Sequence, residues 1–165
     1  LVLSTIHTNS AVETITRILN MKVPDFLLTA AINLIIAQRL ARRLCDCKVK
    51  QEPSVSTQKK LKEAFSIFNP PKDLDMSIFE NPTFYAPREG GCEKCGGFGY
   101  KGRVGLYEVL TMSEPVKKAV LAGMPSLEIE KVAKKEGMTT LEQDGIIKVL
   151  KGITSLEEVY KLVKE

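Results

Sequence analysis

The sequence contains no tryptophan, and aromatic residues make up only 6% of its 165 positions. Proteins that bind single-stranded nucleic acids commonly stack bases on aromatic side chains that lie among basic ones. The main basic cluster of this chain, Arg39, Arg42 and Arg43, has no aromatic residue within it. We therefore interpret it as the solvated end of a helix, and we predict no nucleic-acid partner.

The chain also lacks a hydrophobic run long enough to cross a membrane. Its most apolar stretch, residues 26–37, is shorter than the ~20 residues that a transmembrane helix needs, and Thr29 and Asn33 interrupt it. The pattern predicts instead a buried helix, with Pro24 in its first turn, that runs to about Leu44. We expect no transmembrane segment.

Neither strong charge nor paired carboxylates point to a substrate. The 24 basic and 20 acidic residues give a net charge of only +4, which implies no strongly anionic partner. The carboxylates are dispersed, and none forms an obvious general acid and base pair. A content of 44% hydrophobic and 27% charged residues is typical of a globular protein.

Four cysteines stand in two close pairs, Cys45 with Cys47 and Cys92 with Cys95. Thiols spaced in this way can reach one metal ion, and four thiolates favour a closed, tetrahedral, structural zinc site. The glycines after the second pair allow backbone N–H groups to turn toward the sulfurs. The first pair has one intervening residue where two are usual, which narrows the angle that its two sulfurs can span at a metal ion. Unconnected thiols or two disulfides are alternatives on count alone, although reduced cysteines fit the cytosol better.

The apolar triplet Leu1-Val2-Leu3 is typical of a buried strand, and a polar turn that contains His7 follows it. In open α/β sheets ligands bind just beyond the carboxyl ends of strands, so His7 is a candidate site residue. Without further support it would be an ordinary loop histidine. A helix should begin near Ser10, with Glu13 and Arg17 paired one turn apart.

The last third of the chain predicts one strand followed by three or four short helices. The strand covers residues 104–110. Ser113 and Ser126 are expected as N-caps of two of the helices. Gly137 and Gly152 stand where two helices should end.

Four segments occur in a specific order along the chain. The first, residues 1–9, contains the apolar strand and His7, and the second, residues 38–45, leads into the first cysteine pair. The third, residues 92–108, holds the second pair and the sequence Gly-Tyr-Lys-Gly-Arg-Val-Gly-Leu-Tyr-Glu. The fourth is residues 137–158. Together they resemble the carboxy-terminal half of the secretion and pilus-assembly ATPases, the hexameric motors of type II secretion and type IV pilus extension. The resemblance covers nearly the whole chain, except the interior of the segment between the cysteine pairs.

This resemblance implies an α/β fold that is the C-terminal part of a RecA-like P-loop ATPase domain. Residues 1–44 would be the end of the ATPase core, and residues 45–95 a metal-binding insert held by the four cysteines. Residues 96–165 would form a strand and a helical C-terminal subdomain. The implied parent is a homo-hexamer that uses ATP and Mg²⁺, carries structural zinc, and lies in the cytoplasm against an inner-membrane platform protein.

The resemblance also gives roles to single residues. It implies that His7 faces the γ-phosphate, where it senses the phosphate or positions the attacking water. It places Arg103, in a glycine-bracketed turn, against the adenine; the alternative for Arg103 is a solvated hairpin tip. Arg17 could contact phosphate or a neighbouring subunit in place of its helix pair.

One family feature is missing from the chain. No Gly-x-x-x-x-Gly-Lys-Ser/Thr sequence occurs, so the cradle of N–H groups and the lysine that bind phosphates are absent. We expect the phosphate loop upstream of Leu1, and we expect these residues alone to be inactive. Pilus assembly is preferred slightly over type II secretion because residues 99–105 look closer to the pilus branch. A non-enzymatic zinc module that binds a membrane-platform protein is the alternative from another class.

Overall fold

The computed structural model describes residues 1–66, 68, 70, 74–80 and 82–163, and these residues form two compact units. The first unit comprises residues 1–37, 68, 70 and 108–140. The second comprises residues 38–66, 74–80, 82–107 and 141–163. Each unit therefore combines segments that are distant in the sequence.

Helices and strands are mixed along the described residues, so the chain is of the predicted mixed α/β composition. In chain order the elements are α1 (Ala11–Asn20), α2 (Asp25–Ala31), β1 (Leu34–Leu44), β2 (Val49–Gln51), α3 (Val55–Ala64), α4 (Ser77–Glu80), β3 (Phe84–Ala86), β4 (Tyr100–Thr111), α5 (Glu114–Leu121), α6 (Ser126–Lys135), α7 (Leu141–Leu150) and α8 (Leu156–Val163). Strand β1 pairs with β4. Strand β2 pairs antiparallel with β3, with Lys50 opposite Tyr85.

The first unit is built around helices α1, α2, α5 and α6. Their apolar faces meet in one core that includes Ile15, Leu28, Val116 and Ile129. Helix α1 begins as predicted, because the Ser10 hydroxyl accepts a hydrogen bond from the Glu13 N–H at 3.1 Å. The buried Glu108 carboxylate accepts a second bond, from the Ala11 N–H at 2.8 Å. A carboxylate at this end of a helix also interacts favourably with the helix dipole.

The core of the second unit lies between helices α7 and α8 and the β4 residues 100–107. Leu106, Ile146, Val149 and Val159 are fully buried there. Gly145 permits the close approach of the two helices. A Cβ added to it would lie 2.6 Å from Val159 Cγ1 and 3.3 Å from Leu106 Cδ1.

Substitution of Gly145 by alanine should therefore destabilise the protein, although alanine favours helix formation. The helical preference is worth about 1 kcal/mol, whereas overpacking a core costs about 1–3 kcal/mol. We expect a net loss of up to about 2 kcal/mol in the free energy of unfolding, measured in urea. The double variant Gly145→Ala/Val159→Ala should lose less than the sum of its single variants; additive losses would show that the two positions do not clash.

The predicted helix from Pro24 to Leu44 is wrong in its second half. Helix α2 ends at Ala31, and strand β1 follows from Leu34. Along β1 exposed residues such as Ile36 alternate with less exposed ones, which is strand periodicity. Pairing with β4, which the local pattern does not reveal, decides the conformation. Arg39, Arg42 and Arg43 consequently lie in a strand and not at a helix end.

The predicted strand at Leu1-Val2-Leu3 is also wrong. These residues have no regular structure, and Leu3, for example, is 87% exposed. A strand needs a neighbour for its N–H and C=O groups, and no strand among the described residues pairs with this segment.

Helix ends in the last third agree with the sequence in three of four cases. Ser113 precedes α5 as its N-cap, and Gly137 and Gly152 adopt left-handed conformations after α6 and α7. Ser126 is instead the first residue of α6, after an N-cap at Pro125. Its hydroxyl is hydrogen-bonded to Thr16 at 2.8 Å, so a tertiary contact replaces the predicted cap.

Candidate metal centre

The second unit brings the four cysteines together, and none of them forms a disulfide. All four Sγ atoms lie within 4.8 Å of one another. The Cys45 and Cys92 sulfurs are 3.7 Å apart, those of Cys47 and Cys95 4.0 Å, and those of Cys92 and Cys95 3.8 Å. The alternatives of unconnected thiols and of two disulfides are therefore wrong.

These separations fit a tetrahedral metal ion. With metal–sulfur distances of 2.3 Å, the sulfurs at two corners of a tetrahedron would be about 3.8 Å apart. A set made only of thiolates suits zinc or another thiophilic metal and not a hard cation such as Mg²⁺. Four protein ligands leave no open position for water or substrate, so such an ion would be structural.

The second cysteine pair is shaped by a short turn, a 3₁₀ segment at Glu93–Cys95. The Cys92 N–H donates to the Cys95 sulfur at 3.1 Å, and the Gly99 N–H donates to it at 3.3 Å. This confirms that backbone N–H groups turn toward a sulfur, as the glycines predicted. The bond from Cys92 is the main cause that lowers the pKa of Cys95 to about 6, against the opposing effect of burial. Cys95 is thus prepared to be a thiolate ligand.

The first pair reaches the cluster despite its single intervening residue. Cys45 follows directly after β1, and its N–H donates to the Gly99 carbonyl at 3.0 Å. The Lys48 N–H then donates back to the Cys45 carbonyl at 3.0 Å, which closes a turn around Cys47. In the thiol cluster, burial and hydrogen bonds with the other sulfurs raise the pKa of Cys47 to about 12. The short spacing is therefore accommodated by a tight turn.

Sequence reasoning missed a set of residues that hold the cysteine segments in place. The Lys48 ammonium donates to the Gly152 carbonyl at 2.6 Å and lies over the Tyr85 ring at 4.7 Å. Glu158 stands three residues after Ser155, a spacing typical of a helix N-terminus. The Ser155 hydroxyl does accept from the Glu158 N–H at 3.4 Å, but the carboxylate binds Arg42. No local signal relates residues more than 100 positions apart.

An ion pair joins Arg42 of β1 to Glu158 of α8. The guanidinium donates to Glu158 Oε1 at 2.6 Å, and the Arg42 N–H donates to Oε2 at 3.0 Å. The Glu158 side chain is only 7% exposed. Arg42 also lies over the Tyr100 ring, 4.2 Å from its centre.

Glu158 makes the stability of the protein depend on pH. The hydrogen bond from the Arg42 guanidinium lowers the pKa of Glu158 below its usual 4.5, although burial opposes this. Such a carboxylate contributes stability above its unfolded-state pKa and loses that contribution as pH falls through its folded-state pKa. Glu158→Gln should therefore cost about 1–2 kcal/mol at pH 7, and the difference from wild type should begin to narrow as the pH falls below the unfolded-state pKa of about 4.3.

Urea unfolding over a pH series measures this gap. Glu157→Gln is the matched control, because Glu157 is exposed on the same turn of helix, and its variant should track wild type throughout. A gap for Glu158→Gln that stayed constant down to pH 3 would contradict the assignment.

The other predicted site residues are not part of the cysteine cluster. His7 is exposed before α1, and Arg17 is exposed in the last turn of α1. The Glu13 carboxylate accepts from the Asn9 N–H at 3.3 Å, and among the described residues no ion pair joins it to Arg17.

Arg103 is exposed in strand β4, so its predicted placement in a turn is wrong. The strand continues through Gly102 because glycine tolerates the positive φ of 77° found there. The roles of His7, Arg17 and Arg103 stay predictions.

Comparison with known proteins decides the family. The family model described as type II/IV secretion system protein matches residues 1–161. The chain belongs to the type II/IV secretion system protein family. This confirms the resemblance that the ordered motifs predicted.

Members of the type II/IV secretion system family align with the chain over almost its full length. The type IV pilus assembly ATPase PilB of Pseudomonas aeruginosa is 45% identical over 165 residues, which are 100% of this chain and 27% of that protein. PilB of Thermus thermophilus is 39% identical over 160 residues, 96% of this chain and 16% of that protein. The type II secretion system protein E of Aeromonas hydrophila is 36% identical over 166 residues, 100% of this chain and 30% of that protein.

The chain thus spans less than a third of the length of these relatives. None of the helices in the described part of the chain has the length and hydrophobicity that crossing a bilayer requires.

Proposed function

We propose that this chain is the C-terminal portion of a hexameric ATPase that powers type IV pilus assembly. The observation that carries the proposal is the 45% identity to Pseudomonas aeruginosa PilB across the whole chain. The PilB proteins of Acinetobacter baylyi and Myxococcus xanthus are each 40% identical and the pilus assembly ATPase TfpB of Acinetobacter baylyi is 36% identical, while the type II secretion E proteins reach 36–38%. ATP hydrolysis in the parent would drive subunit motions that add pilin to the growing fibre.

Within this proposal the chain contributes the end of a RecA-like core over residues 1–44. The metal-binding insert covers residues 45–95, and the C-terminal subdomain covers residues 96–165. The four cysteines would hold one zinc ion, which fixes the base of the insert. The zinc supplies no reaction chemistry there, because four thiolates leave no position for a substrate.

Nucleotide chemistry in the parent would use residues outside the cysteine cluster. His7 would face the γ-phosphate, where an imidazole N–H can donate to the developing negative charge or orient water. Arg103 would contact the adenine, and Arg17 a phosphate or a neighbouring subunit. ATP and Mg²⁺ would be held mainly by a phosphate loop that the chain itself does not contain. The parent would act in the cytoplasm on an inner-membrane platform protein.

Two other functions are the alternatives. A type II secretion ATPase is favoured by the 36–38% identity to E proteins over at least 165 residues. A non-enzymatic zinc module that binds a platform protein is favoured by a cysteine cluster that is complete within the chain.

Exchange of segments between relatives tests the proposal. The 165 residues would replace the aligned segment in Pseudomonas aeruginosa PilB and, as the matched control, in Aeromonas hydrophila type II secretion protein E. We expect surface pili in the first host and no secretion in the second. Restored secretion without pili would instead favour the type II branch. Restoration that did not require His7, tested with His7→Ala, would favour the non-enzymatic module.

A further inference from the structure

The segments that carry the cysteines are hydrogen-bonded to one turn, the α7–α8 turn at residues 151–155. Directly before Cys45, the Leu44 N–H donates to the Ile153 carbonyl at 2.9 Å. Directly after Cys47, Lys48 donates to the Gly152 carbonyl at 2.6 Å. All these groups belong to the second unit.

The same turn also holds the chain that leaves the second cysteine pair. Gly99 donates its N–H to the Cys95 sulfur, and the hydroxyl of the next residue, Tyr100, is hydrogen-bonded to Ser155 at 2.8 Å. Thr154, which is fully buried, donates its hydroxyl to the Arg42 carbonyl at 2.8 Å. The turn thus contacts the chain on both sides of the cluster.

The fit between the turn and the cysteine segments is close. A Cβ added to Gly152 would lie 2.9 Å from the Lys48 ammonium and 3.0 Å from the Tyr85 ring. In the first turn of α8, which follows directly, the nearly buried Glu158 carboxylate binds both the side chain and the N–H of Arg42. A displacement of this turn would therefore break several hydrogen bonds and expose buried polar groups, which is costly.

We infer that the α7–α8 turn positions the cysteines, so that metal binding and docking of this helix pair stabilise each other. Lys48, Tyr100 and Glu158 are positioning residues, since none of them supplies a sulfur. Residues that hydrogen-bond to metal ligands commonly change metal affinity 10–100-fold when substituted. The side chains of Lys48, Tyr100 and Glu158 bind groups next to the cysteine segments and not the sulfurs, so we expect effects at the lower end of this range. Coupling between two equilibria is reciprocal, so the metal should hold the helix pair as strongly as the helix pair favours the metal. The inference rests on the proposed metal site.

Zinc affinity of the 165-residue chain tests one direction of this coupling. Competition with a chromophoric chelator should show affinities roughly tenfold weaker for Glu158→Gln and Lys48→Met. Tyr100→Phe removes only one hydroxyl, so this variant should stay folded. Its zinc affinity should fall by a smaller factor. Glu157 is exposed on the same helix, so the zinc affinity of Glu157→Gln should equal that of wild type. Equal affinities for wild type and all the positioning variants would overturn the inference.

Hydrogen exchange tests the other direction. The chain is compared with one equivalent of zinc and after its removal by a chelator. Loss of amide protection should be concentrated in α7 and α8, whereas α5 and α6 of the first unit should change little. Unchanged protection of α7 and α8, or an equal loss in all four helices, would refute the coupling. If zinc binds with one-to-one stoichiometry but leaves α7 and α8 unaffected, only the coupling fails. A wild-type chain that binds no zinc refutes both the coupling and the proposed site.

Discussion

Replacement of Cys95 by serine should abolish stoichiometric zinc binding and destabilise the second unit more than any other cysteine substitution. Its sulfur is the acceptor for two backbone N–H groups and lies within 4.0 Å of two other sulfurs. A structural zinc ion contributes on the order of 10 kcal/mol to the folding of small zinc modules. That contribution is comparable with the whole stability of a typical domain, so the unit should lose its cooperative thermal transition.

Cys47→Ser is the control for this experiment, because we expect it to have a smaller effect than Cys95→Ser. The Cys47 sulfur is half-buried and has no backbone N–H directed at it among the described residues. Zinc should still bind to this variant, with reduced affinity. The measurements are metal content by mass spectrometry and thermal unfolding by circular dichroism. One tightly held zinc ion in Cys95→Ser, with an unchanged melting temperature, would show that Cys95 is not a ligand.

Gly91→Ala should have the second largest effect, because it damages the turn that carries Cys95. A Cβ at position 91 would lie 2.4 Å from the Gly97 carbonyl carbon and 2.8 Å from the Cys95 sulfur. Its φ of +54° is also unfavourable for alanine. Backbone atoms cannot move aside as a flexible side chain can, so we expect a loss of about 3 kcal/mol or more, together with weaker zinc binding.

Gly90→Ala is a matched control for the Gly91 variant. Gly90 has a similar φ of +69°, but a Cβ there would have no atom within 4 Å. Gly90→Ala should therefore lose only about 1 kcal/mol of stability, the cost of placing alanine at a positive φ. Its zinc affinity should be unchanged. Chemical denaturation and chelator competition measure both effects. Equal losses for the two variants would mean that the contact with Gly97 and Cys95 is unimportant.

The sequence predicts local features of this fold well. The serine before α1 caps it through a contact three residues away, and Gly152 follows the end of α7 in the conformation that only glycine adopts readily. The two cysteine pairs also revealed their common site, since each pair has a short spacing that suits one ion. The cap and the glycine depend on contacts between residues close in sequence. The metal site depends on the ability of cysteine thiolates to bind zinc.

Features that depend on distant partners were predicted poorly. Residues 34–44 contain an apolar pattern that a helix could use, and only pairing with β4 makes them a strand. The contacts of Lys48 with Gly152 and of Arg42 with Glu158 join residues 104 and 116 positions apart. A single sequence carries no signal for such pairs, so the residues that position the metal site could be found only in the structure.

The most direct test of the proposed function is the rate of ATP hydrolysis by PilB of Pseudomonas aeruginosa in which these 165 residues replace the aligned segment. Phosphate release should approach that of the unmodified enzyme and fall at least tenfold when His7 is changed to alanine. Arg39→Ala is the control. The proposal gives Arg39 no role in hydrolysis, so this variant should keep the rate of the chimera. A folded, zinc-loaded chimera that released no phosphate, or one whose rate did not depend on His7, would contradict the account.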